Sequence, residues 1–419
     1  MTIKRISQSL SCATCALLGT GNSLAEPWDI DIGLMNYIEQ DRNTGVELLI
    51  DGTRKLSGGD SFTLGLQLDT LTGATPNGAT PSNVAQTFTQ SSGAGSYRTA
   101  AGDLPADDTH MDTRLAVESG YVDQHSSDLL IAYDGHVSME FDYLSFGFAN
   151  SYQIDFDQHN TSLYLGYSGE YNRVHPIGNI PTPLALMTPE NTLQNRGEAA
   201  KTRTAGEVSI GITQIIDRSS LFQLRLTHSN FSGYLNDPYK ILSVIEDVDS
   251  ASLGETLEYR FEDRPDSRDL NTVFFAYKRD LVDGIVDVSL RYSKDNWDIS
   301  ASTIDLRYRY RLAGGAYLQP HIRFYRQSEA EFFRHSLPNS EGLPEFASAD
   351  TRLAAFDAIT LGARYGAAIV NGNQHSFVAE FYTQDGESNP GDAIGLQNQQ
   401  DLFPRLKTLV FKYFFSTQW

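Results

Sequence analysis

The chain has 419 residues, and 53 acidic against 32 basic residues give it a formal charge of −21. This excess of negative charge disfavours nucleic acid as a partner, because the phosphate backbone is itself negative. No run of about 18 apolar residues follows the first 25 positions, which excludes an ordinary bilayer-spanning helix.

Residues 1–25 have the features of an export signal. Two basic residues precede a short apolar run, and a small-residue cleavage pattern ends at Ala25. Both cysteines, Cys12 and Cys15, fall inside this segment, so the mature chain is predicted to carry no thiol and no disulfide. The predicted organisation is a signal peptide followed by one domain over 26–419.

Alternation of apolar and polar residues predicts β-strands along that domain. Residues 303–312 show the pattern clearly, with an apolar or aromatic residue at every even position and a polar or charged one at every odd position. Sixteen strands are predicted, near 28–39, 44–56, 60–72, 111–124, 128–141, 143–156, 160–174, 202–217, 219–234, 270–281, 284–295, 299–312, 314–327, 351–369, 373–385 and 406–419.

The lengths of the connections distinguish a membrane barrel from a soluble sandwich, which would show the same alternation. Every second junction is a tight turn, for example at 56–60 and 370–373, and most of the others are long. The long ones are 73–110, 175–201, 235–269, 328–350 and 386–405. We therefore predict an all-β fold, a transmembrane antiparallel β-barrel of about 16 strands with short periplasmic turns and long extracellular loops, in the outer membrane of a Gram-negative bacterium.

The last predicted strand supports this assignment. Its alternate positions carry apolar and aromatic side chains up to Trp419, and we expect that face to contact outer-membrane lipid. An aromatic C-terminal residue also resembles the assembly signal of outer-membrane proteins.

The charged residues on the polar faces are expected to line the lumen. Acids predominate on the early strands and arginines on the later ones, which predicts two opposed charged walls and a transverse field. The alternative is that the charges pair across the barrel and close it. The predicted lumen charges are Glu118, Asp134, Glu140 and Asp155 on the acidic side and Arg291, Arg307, Arg309, Arg311 and Arg323 on the basic side.

Three segments resemble an uncharacterised family of bacterial outer-membrane proteins filed as domain of unknown function 3570. They are TGATPNGATPS (72–82), EFDYLSFG (140–147) and GYLNDPYK (233–240), and the resemblance covers nearly the whole mature chain. It implies an outer-membrane barrel without an established activity. It also implies an association with flavin-attaching transferases and thioredoxin-like proteins.

The segment DTLTGAT (69–75) resembles the D-x-x-S/T-G-A-T signature on which periplasmic transferases attach FMN through a phosphoester. The resemblance implies covalent FMN on Thr75, with a flavin transferase and a periplasmic redox protein or lipoprotein as partners. The other signature positions are Asp69, Thr72, Gly73 and Ala74. An unmodified glycine-rich loop is the alternative, and the nearby repeat NGAT (77–80), which lacks the aspartate, favours it.

Two functions therefore stay open. The first is a redox module that carries FMN at the mouth of the third strand and transfers electrons at the outer membrane. The second is a passive porin-like channel or a scaffold that holds a partner in its lumen. Neither His228 nor His321 has the neighbours of a nucleophilic catalyst, so no catalytic residue and no metal site is predicted.

Overall fold

The computed structural model describes residues 27–89, 96–187, 195–368, 373–391 and 393–418. The predicted signal peptide, most of the predicted turn at 370–373 and Trp419 lie outside the described residues. Within those ranges no helix has the length and apolar character needed to cross a bilayer.

Strands make up most of the described chain. Short 3₁₀ helices lie at Ser57–Gly59, Ala313–Gly315, Thr351–Leu353 and Gly395–Gln399. The strands in chain order are β1 (Trp28–Glu39), β2 (Asn43–Lys55), β3 (Ser61–Pro76), β4 (Gln86–Thr89), β5 (Ser96–Thr99), β6 (Ala106–Asp123), β7 (Leu129–Met139), β8 (Tyr143–Phe156), β9 (Thr161–Val174), β10 (Leu186–Met187), β11 (Lys201–Asp217), β12 (Ser220–Gly233), β13 (Ile241–Ile245), β14 (Thr256–Phe261), β15 (Ser267–Leu281), β16 (Gly284–Asp295), β17 (Ser300–Arg311), β18 (Tyr317–Gln327), β19 (Leu337–Pro338), β20 (Phe356–Ala368), β21 (Gln374–Gly386) and β22 (Leu406–Gln418).

Sixteen of these strands form one closed antiparallel barrel. Its order is β1-β2-β3-β6-β7-β8-β9-β11-β12-β15-β16-β17-β18-β20-β21-β22, and β22 pairs with β1 to close the ring. The sixteen-strand barrel prediction is therefore confirmed. We call the end where β1 starts and β22 ends the short-turn rim, and the opposite end the long-loop rim.

The third and fourth barrel strands are longer than predicted. β3 continues to Pro76 and β6 begins at Ala106, with a bulge between Gly73 and Thr75. Gly73 has φ = 138°, and a Cβ there would lie 2.4 Å from the carbonyl oxygen of Arg42. The sheet can pass this close contact only because the residue is glycine.

The outward face of the barrel is apolar. Leu306, Phe324 and Phe411 are each about half exposed although they are large hydrophobic residues. A contiguous surface of this kind is what a membrane barrel presents to lipid. We call it the apolar belt, and it includes Leu64, Leu66, Leu68, Val117, Phe148, Leu165, Ile210, Leu226, Val273, Leu290, Ile304, Leu306, Phe324, Leu361, Phe381 and Phe411.

The long loops fold together into a cap, which we define as the described residues of 77–105, 175–200, 234–266, 328–355 and 387–405. The cap contains a four-stranded sheet in the order β10-β14-β13-β19 and the hairpin β4-β5. One of its hydrophobic clusters joins Phe88, Met187, Ile241 and Phe261, and another joins Phe332, Leu353 and Phe403.

The cap crosses the mouth of the barrel. The backbone N–H of Ile241 donates to the carbonyl oxygen of Asn77. Asn77 directly follows β3, whereas Ile241 follows β12, which stands six places away in the ring. Because opposite strands of this ring are eight places apart, a loop that makes this contact must reach across the opening.

A charge on the apolar belt should destabilise the barrel. Leu306→Arg is expected to lower the free energy of unfolding in lipid vesicles by about 2–4 kcal/mol, because the guanidinium would face hydrocarbon. Leu56→Arg, in the turn between β2 and β3, is the matched control and should change the free energy of unfolding only slightly. Denaturant titration followed by the boiled and unboiled gel shift measures both. Equal effects would mean that water, not lipid, covers the belt.

Candidate functional site in the lumen and cap

The acidic wall lies on β1 to β7. Asp31 and Asp51 stand directly opposite each other on β1 and β2. Gly65 separates Asp51 from Glu118, and a Cβ on this glycine would lie 2.6 Å from Asp51 Oδ1. In the described part of the chain, Asp31, Asp51, Glu118 and Asp134 form no ion pair with lysine or arginine. Such acids need water or a counterion around them.

Glu140 and Asp155, also predicted for this wall, lie at the ends of the barrel. Glu140 is in the turn that follows β7 at the long-loop rim. Burial raises its pKa to about 7, with Asp112 adding to the rise and Arg114 opposing it. Asp155 lies near the short-turn rim, where its Oδ2 is 3.1 Å from His159 Nδ1.

The predicted basic wall contains a chain of ion pairs. Arg307 and Arg323 bind Asp305 at 3.2 and 2.7 Å. His321 lies between two carboxylates: its Nε2 is 2.9 Å from Asp305 Oδ2, and its Nδ1 is 3.0 Å from Glu380 Oε1.

This chain of contacts depends on a glycine. Gly362 on β20 stands between His321 and Glu380, and a Cβ there would lie 2.7 Å from Glu380 Cγ. This role of His321 could not be predicted from the sequence, because the contacts depend on the register of four strands, which alternation does not give.

The other predicted arginines have different surroundings. Arg291 lies over the ring of Phe274 at 5.5 Å, and Arg309 lies over Tyr317 at 4.1 Å. Arg311 is at the short-turn rim, where it binds Asp280 at 2.6 Å and the carbonyl oxygen of Leu281. It therefore clamps the turn between β15 and β16.

Ion pairs in the described barrel run along the wall. Asp69 pairs with Arg114 on the adjacent strand at 2.6 Å, and Lys278 pairs with Asp287 on the adjacent strand at 3.1 Å. The two charged walls stay on different sides of the ring. The described pairs do not close the lumen by crossing it, and the obstruction at the long-loop end comes from the cap.

A buried ion cluster holds two loops of the cap together. Arg264 binds Glu262 at 2.8 Å and Asp350 at 2.9 Å, and Arg352 binds both Asp350 and Asp237. Glu262 and Asp350 are each about 2% exposed. Buried charges of this kind depend strongly on their partners, so loss of one member should release the others.

The cluster is also tied to the barrel. Lys240 donates from its Nζ to the carbonyl oxygen of Pro76 at the end of β3, and the hydroxyl of Tyr239 donates to Asp142 between β7 and β8. The sequence offered one signal for this region. The run ILSVI at β13 is apolar without alternation, as in a strand buried on both faces.

The residues of the FMN signature lie in the barrel wall. Asp69 faces the lumen and pairs with Arg114, whereas Thr72 is exposed on the outer face. Gly73 pairs with Asn43 on β2, Thr75 pairs with Asp107 on β6, and the backbone N–H of Ala74 donates to the carbonyl oxygen of Arg42.

The hydroxyl of Thr75 donates to Asn43 Oδ1 at 3.3 Å. A cavity of about 600 Å³ lies beside Arg42 and Pro76, but Thr75 is not among the residues that line it. A transferase needs an extended segment that enters its own cleft. A segment that is paired with β6 on one side and hydrogen-bonded to Arg42 and Asn43 on the other cannot do so. In the closed barrel these residues do not fit FMN attachment.

The chain matches the family described as Protein of unknown function (DUF3570) over residues 7–417. The chain belongs to this family. No match was found among curated proteins.

The chain is also similar in shape to several solved barrels. It is 9% identical to a bacterial polysaccharide outer membrane secretin, over 95% of this chain and 100% of that chain, with a TM-score of 0.44. The ferric enterobactin receptor PfeA of Pseudomonas aeruginosa is 9% identical, over 87% of this chain and 55% of that chain, with a TM-score of 0.44. The siderophore receptor PirA of Acinetobacter baumannii is 9% identical, over 87% of this chain and 54% of that chain, with a TM-score of 0.42. The chain spans about half the length of these two receptors, and we draw no functional conclusion from such values.

The pKa values of the ion cluster determine how the cap responds to acid. Burial raises the pKa of Glu262, although Arg264 opposes it. Burial also acts to raise the pKa values of Asp237 and Asp350, but neighbouring cations outweigh it and both lie below their ordinary value. Falling pH therefore protonates Glu262 first, which favours the folded cap. The stability from the two aspartates is lost only as pH falls through their lowered pKa values.

The cap should consequently stay closed in mild acid and open only below about pH 4, the ordinary aspartate range. Trp297 lies in the turn between β16 and β17 and is buried against Phe332 of the cap, so its fluorescence reports the opening. The Trp297→Phe variant shows how much of the fluorescence change comes from Trp297. Arg264→Gln should destabilise the cap by about 3–5 kcal/mol and move the transition to higher pH. A wild-type transition near pH 6 would contradict the role of the two aspartates.

Proposed function

We propose that this protein spans the outer membrane of a Gram-negative bacterium, with the short-turn rim in the periplasm and the cap outside. The closed hydrogen-bonded ring and the apolar belt support this, because only helices and closed barrels satisfy their backbone groups in lipid. Short periplasmic turns and long external loops are the usual arrangement of such barrels.

We further propose that the protein is a gated channel. The observation that carries this proposal is the contact of Asn77 with Ile241 across the mouth, above a lumen with opposed charged walls. A permanently open porin would have no packed cap over its opening. A barrel filled by its own side chains would pair its wall charges, whereas Asp31 and Asp51 face each other without a described cationic partner. A water-filled lumen beneath a closed cap accounts for both the packed cap and the acids without a described cationic partner.

Conductance in planar bilayers tests the gate. The wild-type protein should conduct little at neutral pH, and replacement of residues 238–262 by a short glycine-serine linker should give steady conductance. Deletion of the exposed residues 248–251 is the matched control, because it leaves the contact at Ile241 intact. Steady wild-type conductance would indicate an open porin. A folded but silent 238–262 variant would indicate a scaffold that holds a partner in the lumen.

We retain covalent FMN on Thr75 as a second proposal because the DTLTGAT signature is complete. The position of this segment in the wall restricts it. A periplasmic transferase would have to modify the chain before the barrel closes. The protein would then carry the flavin to the long-loop rim, where it could take part in electron transfer.

Labelling before and after folding tests this restriction. A flavin transferase should modify the urea-unfolded chain, should not modify the folded barrel, and should fail on Thr75→Ala. Thr80→Ala, in the second GAT repeat, is the matched control. Flavin fluorescence that stays with the denatured gel band is the measurement. Absence of label on both forms would remove the flavin proposal, and labelling of the folded barrel would remove the restriction.

A further inference from the structure

Four arginines of the lumen wall lie over aromatic rings. The first two pairs are close to the short-turn rim: Arg309 lies 4.1 Å from the ring centre of Tyr317, and Arg364 lies 5.3 Å from that of Phe414. The other two are higher on the wall: Arg225 lies 4.3 Å from the ring centre of Tyr164, and Arg291 lies 5.5 Å from that of Phe274. We call these four pairs the arginine track.

The register of the barrel builds the upper part of the track. Arg225, Phe274 and Arg291 stand directly opposite one another on β12, β15 and β16. Gly211 on β11 stands between Arg225 and Tyr164. Because this glycine has no side chain, the guanidinium group can reach a ring that is two strands away.

These guanidinium groups form no ion pair with a described carboxylate. In the described part of the chain neither Arg225 nor Arg291 forms an ion pair, and Arg225 Nε has no hydrogen-bond acceptor although the residue is only 8% exposed. The charge of Glu207 reaches Arg291, but its described direct contact is with the hydroxyl of Ser229, which donates to it. Asp305 binds Arg307, Arg323 and His321.

The described hydrogen bonds of the other two arginines go to neutral groups. Arg309 donates to Gln319 at 3.4 Å, and Arg364 donates to Ser376 at 2.8 Å. A guanidinium group over a ring keeps N–H donors free at its edge, in the geometry that matches a carboxylate or phosphate. A buried cation without a counter-charge is unfavourable, so an incoming anion would relieve that cost.

We propose that the arginine track binds small organic anions, namely carboxylates or phosphate esters on a planar or apolar body. The charge of the solute contacts the guanidinium groups, and its body contacts the exposed parts of the rings. The track leads from the short-turn rim to the region below the cap. The inference rests on the proposed channel and names the class of solute that it would admit.

Binding to the detergent-solubilised full-length protein tests the proposal without opening the gate. The probes are benzoate and its neutral isostere benzamide, measured by isothermal titration calorimetry with empty micelles as the blank. Benzoate should bind saturably and benzamide should not. Arg291→Gln should weaken benzoate binding about tenfold, as expected for loss of a charge-assisted contact.

Two further variants separate the parts of the track. Phe274→Leu keeps the charge and should weaken benzoate less than Arg291→Gln does. Arg279→Gln is the matched control, because Arg279 lies on the same strand as Phe274 but is exposed on the outer side. The boiled and unboiled gel shift verifies that each variant is folded.

The outcomes are distinct from those of the conductance test. Saturable benzoate binding that is lost in Arg291→Gln and kept in Arg279→Gln supports the track even if the protein never conducts. Equal binding of benzoate and benzamide, no saturable binding, or an unchanged affinity in folded Arg291→Gln would overturn it even if the protein is a channel.

Discussion

The closed hydrogen-bond ring is the constraint on which the rest of the molecule depends. A strand edge in hydrocarbon would leave a row of N–H and C=O groups without partners, which lipid cannot supply. Here β22 meets β1 in continuous register from Asp29 and Gln418 to Glu39 and Thr408. Once the ring is closed, the two-residue period of a strand divides every segment into a lipid face and a lumen face. The alternation in the sequence is the consequence.

Register then decides which lumen side chains meet. Glycines at Gly65, Gly211 and Gly362 leave gaps through which residues on the two flanking strands approach each other. At Gly65 the neighbours are two acids, at Gly211 an arginine and a tyrosine, and at Gly362 a histidine and a glutamate. The same substitution, glycine to a larger residue, would therefore have three chemically different effects. The absence of a side chain at these three glycines therefore determines the contacts in the wall as much as the charged residues do.

The barrel could be predicted from the sequence because it depends on local alternation and on loop length. The site could be predicted only in part, since alternation gives the face of a residue but not its height or its neighbours. Glu140, Asp155 and Arg311 illustrate this, because each lies at an end of the barrel. The ion chain through His321 needs the register of four strands. The cap was predicted only as long loops, although the unbroken apolar run at β13 indicated a buried strand there.

The cap and the wall differ in how their charges are satisfied, and this difference bears on opening. Arg264 and Arg352 pair with Glu262 and Asp350 inside the cap, whose clusters around Phe332 and Phe88 give it hydrophobic cores of its own. Loops that share cores and buried ion pairs tend to move as one cooperative unit. The wall instead keeps Asp31 and Asp51 opposed on one side, and on the other Arg225 and Arg291, which contact aromatic rings but form no ion pair among the described residues. The cap can therefore move as a unit once its few ties to the barrel, such as those from Lys240 to Pro76 and from Tyr239 to Asp142, are broken. The wall instead requires water or a solute between its two sides.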